Sequence, residues 1–141
     1  MALISKHIST QTSIGAVEAF FDAYRRHDVD GMIRYCNPNG QVRMVPLGSQ
    51  GQGPIETLGR KFWKGLTDAI PDLTNEITLI FADLDGHVCA EVVIRGTWQR
   101  DFDNIQDLAS RYKVEYSFVF DVGSDGLIQK VDCYWNNSNL H

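Results

Sequence analysis

The groups in this sequence able to do chemistry are few, and they are set among aromatic side chains. Reading the strands by alternation turns Trp98, Tyr116, Phe118 and Cys133 to one side, where Phe20, Tyr24, Met44, Phe62 and Trp63 join them. This set has four polar tips: the phenols of Tyr24 and Tyr116, the indole N–H of Trp98 and the thiol of Cys133. A phenol donates a hydrogen bond to a developing enolate oxygen, which makes Tyr116 a catalytic candidate. The other eight residues would line a cavity for a hydrophobic ring-bearing molecule. Large aromatics fill cores as readily as they line sites, so the same residues also read as packing.

A proton-moving group is harder to place. Asp132 adjoins Cys133, but alternation turns it to the opposite face; a one-residue slip in register would bring it inward, so it stands as the acid–base candidate. Asp101, Asp103 and Asp107 lie in the polar segment 99–110. A carboxylate held beside an apolar cavity gains a raised pKa, although a solvated acidic loop is the plainer reading. Cys133 becomes a nucleophile only if a nearby cation or helix N-terminus lowers its pKa, and no such partner is evident. Cys36, Cys89 and Cys133 are widely spaced and odd in number, and the four histidines make no ligand spacing with them. Buried free thiols in a reducing compartment are expected. Gly48, Gly51 and Gly53 are followed by no G-K-[ST], so no phosphate loop is read there. The expectation is no metal and no dissociable cofactor.

The elements that position these groups follow from periodicity. Ser13 is placed to cap a helix whose stripe is Val17, Phe20, Phe21 and Tyr24, ending at His27-Asp28. Asp28 or Asp30 caps a short second helix through Met32, Ile33 and Cys36. Asn37-Pro38-Asn39-Gly40 reads as a turn before a strand at 41–46 and a Gly-rich loop at 47–53. Pro54 opens a third helix burying Ile55, Leu58, Phe62 and Leu66 and ending before Pro71. Strands follow: Ile77, Leu79 and Phe81 alternate with Thr78, Ile80 and Ala82, and Asp85-Gly86 makes a hairpin turn. Val88, Ala90, Val92, Ile94, Gly96 and Trp98 share one face of the next strand; Tyr112, Val114, Tyr116, Phe118, Phe120 and Val122 share one face of the strand after it. In the last strand Leu127, Val131, Cys133 and Trp135 alternate with Ile128, Lys130, Asp132 and Tyr134. Sheets with one apolar face need cover, and three helices supply it, giving an α+β fold: a cone with an apolar hollow between helices and sheet. Residues 1–12 read as a flexible arm and 13–141 as one domain.

The outward face, with Val93, Val119, Ile80, Ile128 and Tyr134 beside Glu91, Arg95 and Glu115, is apolar enough to predict a homodimer packed through the sheet. Composition bounds the partners further. Apolar residues make up 43% and charged residues 22%, as in globular domains, and 141 residues suit a single one. A formal net charge of -5 argues against nucleic acid. The chain has neither a membrane-length apolar run nor a signal-like start, which points to the cytoplasm.

Several stretches carry a family resemblance. Ala16-Val17-Glu18-Ala19-Phe20-Phe21-Asp22-Ala23-Tyr24, then Asp28-Val29-Asp30-Gly31-Met32, then Gly53-Pro54 opening a helix to Phe62-Trp63, resemble the nuclear transport factor 2-like superfamily. Ala69-Ile70-Pro71-Asp72-Leu73, Gly96-Thr97-Trp98 and Asp125-Gly126-Leu127-Ile128 resemble its SnoaL-like polyketide cyclase branch, related to ketosteroid isomerase. The resemblance covers nearly the whole chain. It implies a cone-shaped α+β barrel of the cystatin-like kind, usually dimeric, with a cavity for a hydrophobic ring-bearing ligand. It implies no single chemistry, because the fold hosts isomerases, cyclases, dehydratases, epoxide hydrolases and binders. Of the isomerase residues, the helix tyrosine falls on Phe20, the general base on Met44 and the oxyanion-hole aspartate on or near Tyr116. The last-strand aspartate of the SnoaL-like cyclases falls on Cys133, beside Asp132, and the histidine of a Gly-Thr-His motif falls on Trp98.

Two functions follow from these readings. One is an enzyme acting on a hydrophobic carbonyl compound by enolisation, isomerisation or ring closure, with Tyr116 stabilising the enolate and Asp132 or a mouth aspartate moving the proton. The other is a non-catalytic module that holds a hydrophobic ligand, favoured by the missing base. A dimerisation domain with a filled cone is a third, weaker reading.

Overall fold

The computed structural model describes residues 9–99 and 111–136. Helix α1 (Thr10–Arg25) and helix α2 (Val29–Arg34) are followed by β1 (Cys36–Met44), a 3-10 segment (Val45–Gly51), β2 (Gln52–Pro54), a π-helical turn (Ile55–Gly59) and α3 (Arg60–Ala69). Four long strands complete the fold: β3 (Thr74–Ala82), β4 (His87–Thr97), β5 (Arg111–Val122) and β6 (Ile128–Tyr134). They form one curved six-stranded sheet in the order β2-β1-β6-β5-β4-β3, antiparallel throughout except that β1 joins β6 in parallel.

Helix α1 lies across the concave face. Its stripe Val17, Phe20, Phe21 and Tyr24 is fully buried, as its spacing requires. Phe21 meets Phe118 edge-on at 4.9 Å, and Phe20 meets Trp63 of α3 at 5.3 Å and Phe120 at 5.5 Å. These contacts fill the deep end of the cone. The helix starts earlier than the capping pattern places it: Ser13 is buried inside the first turns, its hydroxyl donating to the Thr10 carbonyl. At the other end His27 adopts a left-handed conformation (φ 60°) and its Nε2 lies 2.7 Å from the Leu73 carbonyl. Asn75, buried in β3, ties the helix down. Its amide donates to the Phe21 carbonyl (3.1 Å), and its side-chain oxygen accepts from Arg25 (2.8 Å). Asp28 caps α2 by accepting from the Gly31 N–H at 2.9 Å.

Four local insertions shift residues away from their simple periodic places. The Asn37-Pro38-Asn39-Gly40 turn is an excursion inside β1, since pairing jumps from Cys36↔Ile128 to Gln41↔Lys130. The π-helical turn carries one extra residue, so the buried face of the third helix runs Ile55, Gly59, Trp63, Leu66 rather than through Leu58 and Phe62, which are half-buried. In β3 a bulge between Ile77 and Leu79 reverses the faces: Leu79 and Phe81 turn outward, 48% and 54% exposed, while Ile80 packs against the core. Between β5 and β6 the register steps from Asp121↔Lys130 to Val122↔Ile128, which places Ile128 in the core rather than on the outer face. β4 and β5, paired without interruption, keep the inner faces their alternation predicts.

Candidate functional site

Along the inner face of β5 the aromatic residues change character. Tyr112 and Tyr116 stand at the end where the strand begins, and Phe118 and Phe120 stand farther along. Residues four apart on a strand lie on one face about 13 Å from each other, and a concave strand tips their side chains together. The two phenol hydroxyls are hydrogen-bonded to each other. Around them, Trp98 meets Tyr112 edge-on at 5.2 Å, and Tyr116 stacks on Phe118 at 5.5 Å and touches Trp135 at 5.4 Å. Trp135 in turn contacts Phe62 at 5.9 Å.

Tyr24 of α1 and Cys133 of β6 complete the cluster. Burial pushes all three phenols above the ordinary tyrosine range; neighbouring phenols and Cys133 push Tyr24 and Tyr116 up further, whereas the hydrogen bond to Tyr116 partly offsets the rise at Tyr112. The three tyrosines are therefore neutral hydrogen-bond donors at physiological pH. Cys133 is likewise pushed up, by burial first and by the Asp132 charge second. It is a thiol, not an activated thiolate.

Of the nine inward residues, seven of them aromatic, all but Met44 fall into two groups. Tyr24, Trp98, Tyr116 and Cys133 gather at the phenol cluster with Phe62 beside Trp135. Phe20, Trp63 and Phe118 belong chiefly to the packed aromatic core, with Phe118 joining the two groups. Met44 is buried in register with Cys133. Alternation alone turns Tyr112 inward without marking it as functional. The signal was its place four residues before Tyr116 on the same face of a long strand.

Asp132 lies elsewhere. It pairs in register with Val119 and Arg43 on the outer face, opposite to Cys133. Its Oδ2 accepts from the Arg43 guanidinium at 3.1 Å, and Lys130 Nζ stands 3.7 Å away. Arg43 also donates to the Tyr134 hydroxyl at 3.1 Å. The sheet thus separates Asp132 from the phenols. Among the described residues it is the one buried carboxylate. Asp101, Asp103 and Asp107 lie outside the described residues. Among the described residues no three His, Cys, Asp or Glu side chains converge as metal ligands, and no helix is long and apolar enough to cross a membrane.

The backbone at the cluster's rim is held closely. Gln99 N–H donates to the Ala69 carbonyl at 2.8 Å, and Asp72 Oδ1 accepts from the Thr97 N–H at 2.7 Å. These bonds press the α3–β3 connection onto Gly96, where an added Cβ would stand 2.1 Å from Ile70 Cγ2. The glycine two residues before Trp98 is a close-approach position.

The chain matches the SnoaL-like domain over residues 17–131. Similar solved structures include AclR, a candidate hydroxylase from Streptomyces galilaeus (20% identity, TM-score 0.80, covering 94% of each chain). A candidate polyketide cyclase from Xanthomonas campestris pv. campestris is 23% identical with a TM-score of 0.76, covering 92% of this chain and 93% of that one. An LEH-like epoxide hydrolase from M. tuberculosis is 20% identical with a TM-score of 0.71, covering 93% and 87%. At these identities the likeness establishes a shared cone-shaped fold. No curated protein matches the chain.

Proposed function

We propose that this chain, which belongs to the SnoaL-like family, binds a hydrophobic ring-bearing carbonyl compound and seats its carbonyl oxygen on the Tyr112–Tyr116 phenol pair. The observation that carries this reading is the pair itself: two hydrogen-bonded phenols at the end of a core whose remaining aromatic surface holds no hydroxyl beyond Tyr24. The pair has two protons. One is spent on the bond between the rings, and the other is free to point at a third oxygen. A bond donated by a phenol that itself accepts one is strengthened by polarisation, and the low-dielectric surroundings amplify it.

Such a donor stabilises negative charge developing on the carbonyl oxygen more than the ground-state dipole. It therefore favours loss of a proton from the adjacent carbon, the first step of enolisation-type isomerisation and of ring closure by an enolate. The surrounding Trp98, Trp135, Phe62 and Phe118 match a flat ring system. The names of the fold relatives, a candidate polyketide cyclase and an epoxide hydrolase, support a small-molecule site.

A second reading, retention of the ligand without turnover, is favoured by one specific observation. The single buried carboxylate among the described residues, Asp132, is behind the sheet. The two readings separate in one experiment. 1-Tetralone, a bicyclic ketone with exchangeable α-hydrogens, is added to the protein in D2O and followed by NMR, with tryptophan fluorescence reporting binding. Binding with accelerated α-exchange, both lost in Tyr116→Phe, supports enolisation. Binding without exchange supports retention, and mass spectrometry of small molecules kept by the purified protein then identifies the natural class. Failure of 1-tetralone and of a panel of larger cyclic ketones to bind overturns the carbonyl reading.

A further inference from the structure

Three cations crowd the end of the sheet where β4 stops and β5 starts. Arg95 and Lys113 stand directly opposite each other in register, and Thr97 stands opposite Arg111 at the next position on the same face. Thr74 of β3 pairs with Arg95 from the other side. Like charges directly opposite one another on neighbouring strands are unfavourable, and a chain of net charge -5 has carboxylates in excess to offset them. Yet Arg95 meets Glu76 only loosely, at 3.7 Å, and among the described residues Arg111 and Lys113 have no carboxylate within ion-pair distance. All three side chains are exposed.

The cations line a groove of about 390 Å³ together with Thr74, Thr97 and Asp72. Asp72 is fixed through Oδ1, which accepts from the Thr97 N–H at 2.7 Å, and among the described residues its Oδ2 has no partner. Two guanidinium forks, one ammonium and two hydroxyls offer more donors than the two oxygens of a carboxylate ligand can take. A phosphate monoester matches them better. It presents three terminal oxygens and nearly two negative charges at pH 7, and guanidinium groups bind such oxygens in pairs. The groove is of a size that holds a small organic molecule rather than a bare ion. The organic part then lies within reach of Asp72, whose free oxygen accepts from a hydroxyl.

We propose that this groove binds the phosphate monoester of a hydroxyl-bearing small molecule, a sugar phosphate being the simplest. The phosphate rests against Arg95, Arg111 and Lys113, and a hydroxyl of the organic part donates to Asp72 Oδ2. The bound dianion removes the repulsion between Arg95 and Lys113 that the free chain bears. The groove side chains stand on the face of β5 opposite to Tyr112 and Tyr116, so the inference is separate from what the phenol cluster binds.

Isothermal titration calorimetry at low salt tests this with the phosphate esters of ribose, glucose and glycerol, beside inorganic phosphate and free ribose. At least one ester is expected to bind with a Kd of about 1 mM or tighter. Inorganic phosphate is expected to bind more weakly than that ester, and ribose not measurably. Affinity should fall as salt rises from about 0.01 to about 0.1 M, where the screening length drops from roughly 30 to 10 Å. Arg111→Gln and Lys113→Gln are each expected to weaken the ester about fivefold. Lys113→Gln also relieves a like-charge pair, so its melting temperature should not fall, which separates lost binding from lost fold. Lys61→Gln, an exposed change of the same charge on α3, is expected to leave binding intact. Absence of binding by all three esters overturns the proposal, as does inorganic phosphate or ribose binding as tightly as the best ester. Equal loss in Lys61→Gln, or no loss in the two groove variants, overturns it as well.

Discussion

Tyr112 and Tyr116 are hydrogen-bonded through their hydroxyls although four residues of one strand separate them. The curvature of the sheet makes this possible, because side chains on its concave side converge. Among the described residues each hydroxyl's hydrogen-bond partner is the other, so the two should behave as a unit. Replacing either tyrosine with phenylalanine removes one partner and leaves the other buried, at a cost of about 1–3 kcal/mol. Replacing both should cost less than the sum, with a coupling of about 0.5–1.5 kcal/mol in a double-mutant cycle by urea denaturation. Strict additivity would show that the bond is not formed in solution.

Stability should fall in base. Tyr24, Tyr112 and Tyr116 have folded pKa values raised by burial. A group of this kind keeps its proton longer in the native state than in the unfolded one. Its contribution is complete below about pH 10 and is lost as pH climbs toward the folded value. Cys36, pushed up from 9.0 to about 12 by burial and then by Glu56, acts in the same direction from a lower starting point. Melting temperature is therefore expected to drop steeply above about pH 9–10, and the three buried phenols are expected to ionise together with unfolding. Absorbance at the phenolate band, recorded beside circular dichroism, checks this. Ionisation of all five tyrosines before any loss of structure would contradict it.

Gly96→Ala should destabilise the fold without touching the phenols. The new methyl would meet Ile70 Cγ2 at 2.1 Å and Asp72 Oδ1 at 3.0 Å, so the connection into β3 must move. Overpacking of this kind costs about 1–3 kcal/mol. Chemical denaturation reads the loss directly. Because Trp98 follows two residues later and rests on Tyr112, its fluorescence should shift as well.

Asp132→Asn should leave binding and α-exchange of 1-tetralone unchanged, while Tyr116→Phe abolishes exchange. The carboxylate is held by Arg43 on the outer side of the sheet, across it from the phenols. Loss of exchange in Asp132→Asn, with the fold intact, would place it in the proton pathway and reverse this assignment.

What the sequence determined by itself is the inner face of each uninterrupted element. The stripe from Val17 to Tyr24 and the alternations from Val88 to Ile94 and from Tyr112 to Val122 are local patterns, and each is buried as its period demands. The Asp28 cap is local in the same way. Where a single extra residue enters, the period loses its phase. The faces of Leu79 and Phe81, of Ile128, and of Leu58 and Phe62 were decided by bulges and a π-helical turn. Those insertions answer to partner strands and to packing on α1, not to near neighbours in the chain. The candidate site divides similarly. Alternation alone turns Tyr116 and Cys133 inward and Asp132 outward. Only the tertiary structure bends β5 until Tyr112 reaches Tyr116, brings Tyr24 from a helix some ninety positions away, and supplies Arg43 to hold Asp132 where it is. Side-chain direction is a property of a strand; convergence is a property of the curvature imposed on it by everything packed against its face.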